Sequence, residues 1–152
     1  MKQGNKNTAG AIIWLAVSCA VHMILFRGKL DMNIPVVTRI LFAVITVAVT
    51  LPLHEMIHWV FMKLCGMKEV RISFGRDPLG IPSLRTSAQG EMHGWKRIIT
   101  LLAPLLLLTA VPDILFFFSD RIRFPFFLAA LCNAAGCYFD LTDVATEVLH
   151  RS

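Results

Sequence analysis

Between Arg39 and Lys63 the chain carries no Lys or Arg and a single acidic side chain, Glu55, which stands between His54 and His58 in a stretch that is otherwise largely apolar. A run of this kind predicts a membrane helix, since about 20 apolar residues cross a hydrocarbon core about 30 Å thick. A carboxylate at that depth is costly unless something compensates it. The spacing supplies the compensation: two imidazoles four apart share one helix face and can grip a single zinc ion, and the Glu beside them serves as general base toward its water. With five His and four Glu in the chain, random order yields on the order of 0.4% of one such match. The pattern is therefore not an accident of composition.

Composition agrees with the bilayer reading. Hydrophobic residues make up 56% of the chain and charged ones 16%, against about 25% charged in ordinary soluble domains, and the mean hydropathy is +0.65. The chain length suits a single polytopic membrane domain, residues 1–152. Four transmembrane helices are expected, at about residues 8–26, 36–64, 95–118 and 124–148. The first is read as a retained helix, because basic residues follow it without a small-x-small cleavage pattern. Pro35 opens the second and Gly66 closes it. Pro104 and Pro112 lie inside the third, tolerable where neighbours re-satisfy the backbone. The fourth is uncharged only as far as Phe139. The expected fold is an all-α membrane protein with a small β-hairpin-like segment between helices 2 and 3.

That segment alternates, with Val70, Ile72 and Phe74 on one face and Glu69, Arg71 and Ser73 on the other. Asp77 to Gly80 reads as a turn, and Ser83 to Gln89 as a returning strand. A free strand edge beside a hydrolytic site holds a peptide extended by main-chain hydrogen bonds.

Lys and Arg counts set the expected orientation. Lys2, Lys6, Lys63, Lys68, Arg71, Arg76, Arg85, Lys96, Arg97 and Arg151 fall on the side of the termini and central loop, against Arg27, Lys29, Arg39, Arg121 and Arg123 on the other. The positive-inside rule makes the first side cytoplasmic, in a multi-pass cell-membrane protein. Flanking basic residues at an anionic leaflet account for the net charge of +5, so no nucleic-acid partner is implied.

A catalytic zinc ion takes three protein ligands and keeps an open position. His22 and Asp113 lie toward the far ends of their helices, and His93 and His150 in or beside flexible ends. Asp140 and Asp143 remain. At about 1.5 Å per residue, His54 is roughly 27 Å down the second helix, Asp140 roughly 24 Å and Asp143 roughly 28 Å down the fourth. Depth admits either. Cys19, Cys65, Cys132 and Cys137 are dispersed and read as packing residues.

The His54–His58 motif on a membrane helix, the later Leu-Leu-Ala-Pro-Leu, and Asn133-Ala-Ala-Gly-Cys-Tyr-Phe-Asp140-Leu together resemble the site-2 protease type of intramembrane zinc metalloprotease. More closely, the chain resembles the small bacterial putative zincin peptidases that lack a soluble domain. The resemblance implies an Asp on the last core helix as third ligand, here Asp140, with Asn133 receiving the substrate. Leu141 stands where the family usually has Gly, and no Pro lies between Asn133 and Asp140. The implied activity is endopeptidase cleavage of membrane-embedded or membrane-adjacent peptides: His54, His58 and Asp140 hold Zn2+, and Glu55 activates water. The alternative is a zinc-binding membrane protein without proteolysis, acting as a binding or regulatory module.

Overall fold

The computed structural model describes residues 2–27, 29, 34–76, 82–118 and 123–149. The element that dominates it is α2, Val36–Leu64, preceded by Pro35 and followed by Gly66 in the left-handed region at φ 87°. Its 29 residues extend about 43 Å, ample for a bilayer. Only 11% of its most apolar window is buried in the protein, and Val37, Leu41, Val44 and Ile45 stand exposed. An apolar surface left so open on one helix is what a lipid environment accepts and water does not.

The second long helix is interrupted without being broken. It runs as α3 (Trp95–Leu105), a five-residue π-turn (Leu106–Ala110) and α4 (Val111–Phe116), and taken together it is again long and apolar enough to cross a membrane. The π-turn sits between Pro104 and Pro112. Proline lacks the N–H that the i−4 carbonyl needs, so the helix relaxes around each.

The remaining chain departs from four regular spans. What was expected as one helix over residues 124–148 is two, α5 (Arg123–Gly136) and α6 (Tyr138–Leu149), bent by 47° at Cys137. Gly136 weakens the helix there. The indole N–H of Trp14 takes the Ala134 carbonyl at 2.6 Å, an oxygen that in an unbroken helix would accept from residue 138. The apolar part of α1 (Lys2–Leu25) covers Ala9–Leu25, about 25 Å of helix and short of a full crossing. The described residues thus contain two helices able to span a membrane, or three if the bent pair is one span. Four is not what they contain.

Three phenylalanines form the buried cluster: Phe26, just past the end of α1, Phe116 of α4 and Phe127 of α5, with Phe126, Leu128 and Leu131 against it. Beside it, His22 faces Asp113 at 3.6 Å, while the His22 Nδ1–H donates to the Ser18 carbonyl at 2.8 Å. The pair ties α1 to α4. Nearer the other end of α1, Gly10 lies so close to Tyr138 that a Cβ there would overlap the phenol.

The hairpin is present as an antiparallel pair, β1 (Lys68–Arg76) and β2 (Pro82–Gln89), joining α2 to α3. The proposed turn at 77–80 lies outside the described residues. Regular pairing runs from Arg71↔Ser87 to Arg76↔Pro82, with an irregularity between Lys68 and Arg71, where Glu69 takes φ 49°. That bulge accounts for Val70 being buried while Ile72 and Phe74, of the same parity, are exposed. The architecture is mostly helical, with this one two-stranded sheet among the described residues.

Candidate metal centre

His54 and His58 occupy successive turns of α2, their ring centroids 4.8 Å apart. Their outer nitrogens are fixed by groups that leave no choice of tautomer. The Thr100 carbonyl lies 2.9 Å from His58 Nδ1, and since a carbonyl only accepts, that nitrogen carries the proton. This oxygen is free because Pro104, four residues on, has no N–H to offer it. The Asn133 Nδ2 donates to the Pro104 carbonyl at 2.8 Å and to Thr109 Oγ1 at 3.0 Å, which turns Asn133 Oδ1 toward His54 Nδ1 at 2.9 Å. His54 therefore also carries its proton on Nδ1. Both Nε2 lone pairs are left facing inward.

The third group they meet is the Asp140 carboxylate. Its Oδ2 is 3.1 Å from His54 Nε2 and 3.5 Å from His58 Nε2, and the two nitrogens are 3.1 Å apart. That oxygen is buried without a hydrogen bond from the described residues. Three acceptors facing one another repel unless a cation lies among them, and one proton could bridge only one edge of the triangle. Ligands at zinc's usual 2.0–2.2 Å in a tetrahedron stand roughly 3.3–3.6 Å apart, close to the spacings found. The donor set fits a divalent metal. Among the described residues these three form the one His, Cys, Asp and Glu group with that geometry.

Other candidates are occupied elsewhere. Asp143 lies against Arg97 at 3.4 Å, and Glu147 of the same helix takes the Gly94 N–H and faces Arg97 at 3.5 Å. His93 is exposed and faces Glu91 at 3.1 Å. His22 and Asp113 pair with each other. His150 lies outside the described residues. All four cysteines are free, and Cys137 alone is fully buried.

Glu55 is not turned to the histidines' other partners. Its carboxylate accepts from Thr86 Oγ1 on β2 at 2.8 Å, and it lines a cavity of about 1100 Å3 together with His54, His58 and Asp140. The cavity continues between Ile12 and Leu15 of α1 and Ala48 and Leu51 of α2, and β2 walls it with Leu84, Thr86 and Ala88. Asn133, expected to face the substrate, is 2% exposed and does not line this cavity. Its amide is fully engaged with His54, Pro104 and Thr109. Three participants escaped the sequence reading, Thr86, Thr100 and Thr109, while Pro104, expected there only as a tolerated helix proline and as part of the Leu-Leu-Ala-Pro-Leu stretch, frees the Thr100 carbonyl and accepts from Asn133. Only the Thr100–Pro104 spacing of four, which marks a freed carbonyl, was a signal available in advance.

Asn133→Leu removes the acceptor that orients His54 while keeping volume. Loss of such a supporting partner costs about 10- to 100-fold in metal affinity, so zinc dissociation measured by chelator competition is expected to weaken by that factor. Unchanged affinity would mean that the His54–Asn133 bond does not orient the ligand.

No curated protein and no solved structure matches the chain. Residues 47–149 match the family described as Putative zincin peptidase. That match opens midway along α2, takes in the hairpin and every residue of the His54–His58–Asp140 cluster, and covers about two thirds of the sequence. By that match, with a cluster of zinc-type donors inside it, the chain belongs to the Putative zincin peptidase family.

Proposed function

We propose that this zinc metallopeptidase cleaves peptides within or beside the membrane, with His54, His58 and Asp140 as ligands and Glu55 as general base. The observation that carries the reading is the cavity that joins the three donors and Glu55 to the apolar gap between α1 and α2. A peptide leaving the bilayer through that gap would meet the metal ligands without crossing water.

Zinc, when bound, lowers the pKa of a coordinated water toward about 7 and polarises a carbonyl. Glu55 takes a proton from the attacking water and returns it to the leaving amine, the role of a general base that becomes a general acid. Asn133 and the Thr100 carbonyl keep the imidazoles in the tautomer that presents Nε2. The β2 strand supplies main-chain groups along which an extended peptide can be laid. Extension is needed because a helical substrate hides its carbonyls in its own hydrogen bonds. The charge distribution supports placing the termini, the hairpin and the metal centre toward the cytoplasmic side.

The test uses purified full-length protein in liposomes with a single-span reporter. Zinc-loaded protein is expected to cut the reporter, chelator-stripped protein to be at least about a hundredfold slower, and zinc but not magnesium to restore the rate, in line with the nitrogen-rich ligand set. Equal cleavage by the stripped protein would defeat the proposal.

A further inference from the structure

Glu55 and Trp59 make a second stripe on α2, one residue round the helix from the histidines, and the hairpin is pinned to both. The Trp59 indole N–H donates to the Val70 carbonyl of β1 at 3.1 Å. On β2, Thr86 Oγ1 lies 2.8 Å from Glu55 Oε2 and 2.9 Å from the Glu55 carbonyl. We infer that Thr86 is a positioning residue for Glu55, holding the carboxylate of the base in place and coupling it to the strand that walls the cleft; this rests on the peptidase reading given above.

A glutamate side chain has three rotatable bonds, and a base must be held within hydrogen-bond reach of its water, so a fixed donor removes the entropic cost of ordering it at each turnover. Thr86 is such a donor: it is β-branched and therefore stiff at χ1, and its strand position is set by pairing with Ile72. It engages Oε2 alone, leaving Oε1 without a hydrogen bond from the described residues and available to a water in the cavity. The hydroxyl also has two acceptors within reach and one proton. While Glu55 is a carboxylate, that proton goes to Oε2. Once Glu55 has taken up the proton of the water on Oε1, Oε2 is the carbonyl oxygen of the acid and still accepts from the Thr86 hydroxyl. Both states of the base keep a partner without movement of the backbone.

Valine matches threonine in shape and lacks the hydroxyl, whereas serine keeps it. In zinc-loaded full-length protein in liposomes, Thr86→Val is expected to lower kcat roughly tenfold, the scale of losing one hydrogen bond to a charged group. KM should stay within about twofold and zinc content should be unchanged, because valine keeps the shape of the cavity wall that Thr86 contributes and Thr86 is not one of the three metal donors. Thr86→Ser should recover most of kcat, which a purely structural role for the methyl would not allow. Independently of cleavage, amide hydrogen exchange over residues 84–88 should quicken in Thr86→Val and in Glu55→Ala, and no further in the double variant. Unchanged kcat in Thr86→Val, a Thr86→Ser no better than Thr86→Val, or additive exchange in the double variant each overturns the inference. If the unmodified protein cleaves no reporter, the peptidase reading falls and the inference falls with it, even where exchange shows the Thr86–Glu55 bond.

Discussion

Glu55→Gln is expected to abolish peptide cleavage while leaving the bound zinc in place. The substitution keeps length and shape, and the Gln carbonyl can still accept from Thr86, so the hairpin stays docked at its second point. Glu55 is not among the three converging donors, which is why metal retention is expected. What is lost is the ability to take a proton from water, a contribution of about 10²- to 10⁴-fold in rate. The checks are elemental zinc per chain and turnover of the membrane reporter, measured on the same preparation. Cleavage at the unmodified rate would rule out Glu55 as the base. Loss of zinc together with activity would instead make it part of the metal site.

Asp140→Ala should empty the centre, and Asp143→Ala should not. Removing Asp140 deletes one of three ligands and leaves two neutral imidazoles, too few for a tight site of the catalytic type. The loss of zinc affinity should exceed the 10- to 100-fold cost of removing a supporting residue such as Asn133. Asp143 by contrast loses only a half-exposed pairing with Arg97 at 3.4 Å, and such pairs contribute about 0–1 kcal/mol. Metal analysis and chelator titration of the two variants decide the matter. A zinc-free Asp143→Ala beside a zinc-loaded Asp140→Ala would reverse the assignment.

The two acids also mark where sequence reasoning stopped. Counting rise along an ideal helix put Asp140 and Asp143 at depths that both suited His54, because that estimate assumes one straight helix. The chain bends by 47° at Cys137, between the helix that carries Asn133 and the one that carries Asp140. No local propensity announces a bend of that size; Gly136 weakens the helix, but the carbonyl released nearby is taken by Trp14, well over a hundred residues away in sequence. The same limit applies to the count of spans. Hydropathy marks α1 as apolar, while the 17-residue length of its apolar stretch and its packing on α5 and α6 decide whether it crosses a bilayer.

The hairpin was legible from alternation, but the bulge near Glu69 that buries Val70 was not, because period two is blind to one extra residue in a strand. Asn133 shows a further gap. Resemblance assigned it to the substrate, and its place between Pro104 and His54 depends on two carbonyl and hydroxyl acceptors supplied by another helix. A pattern within one segment cannot say which neighbour will claim a side chain.

By itself, the sequence determined the membrane-type apolar helices, the shared face of His54 and His58, the adjacency of Glu55, and the strand pair after α2. All of these follow from periodicity within one element, where 3.6 or 2 residues per repeat places side chains without reference to anything else. Only the tertiary structure decided that Asp140 rather than Asp143 closes the donor triangle, that Thr100 and Asn133 fix the imidazoles, and that Thr86 holds Glu55. Those choices compare groups on different elements at distances of about 3 Å, and such distances are set by how bent helices pack, a property of the whole chain.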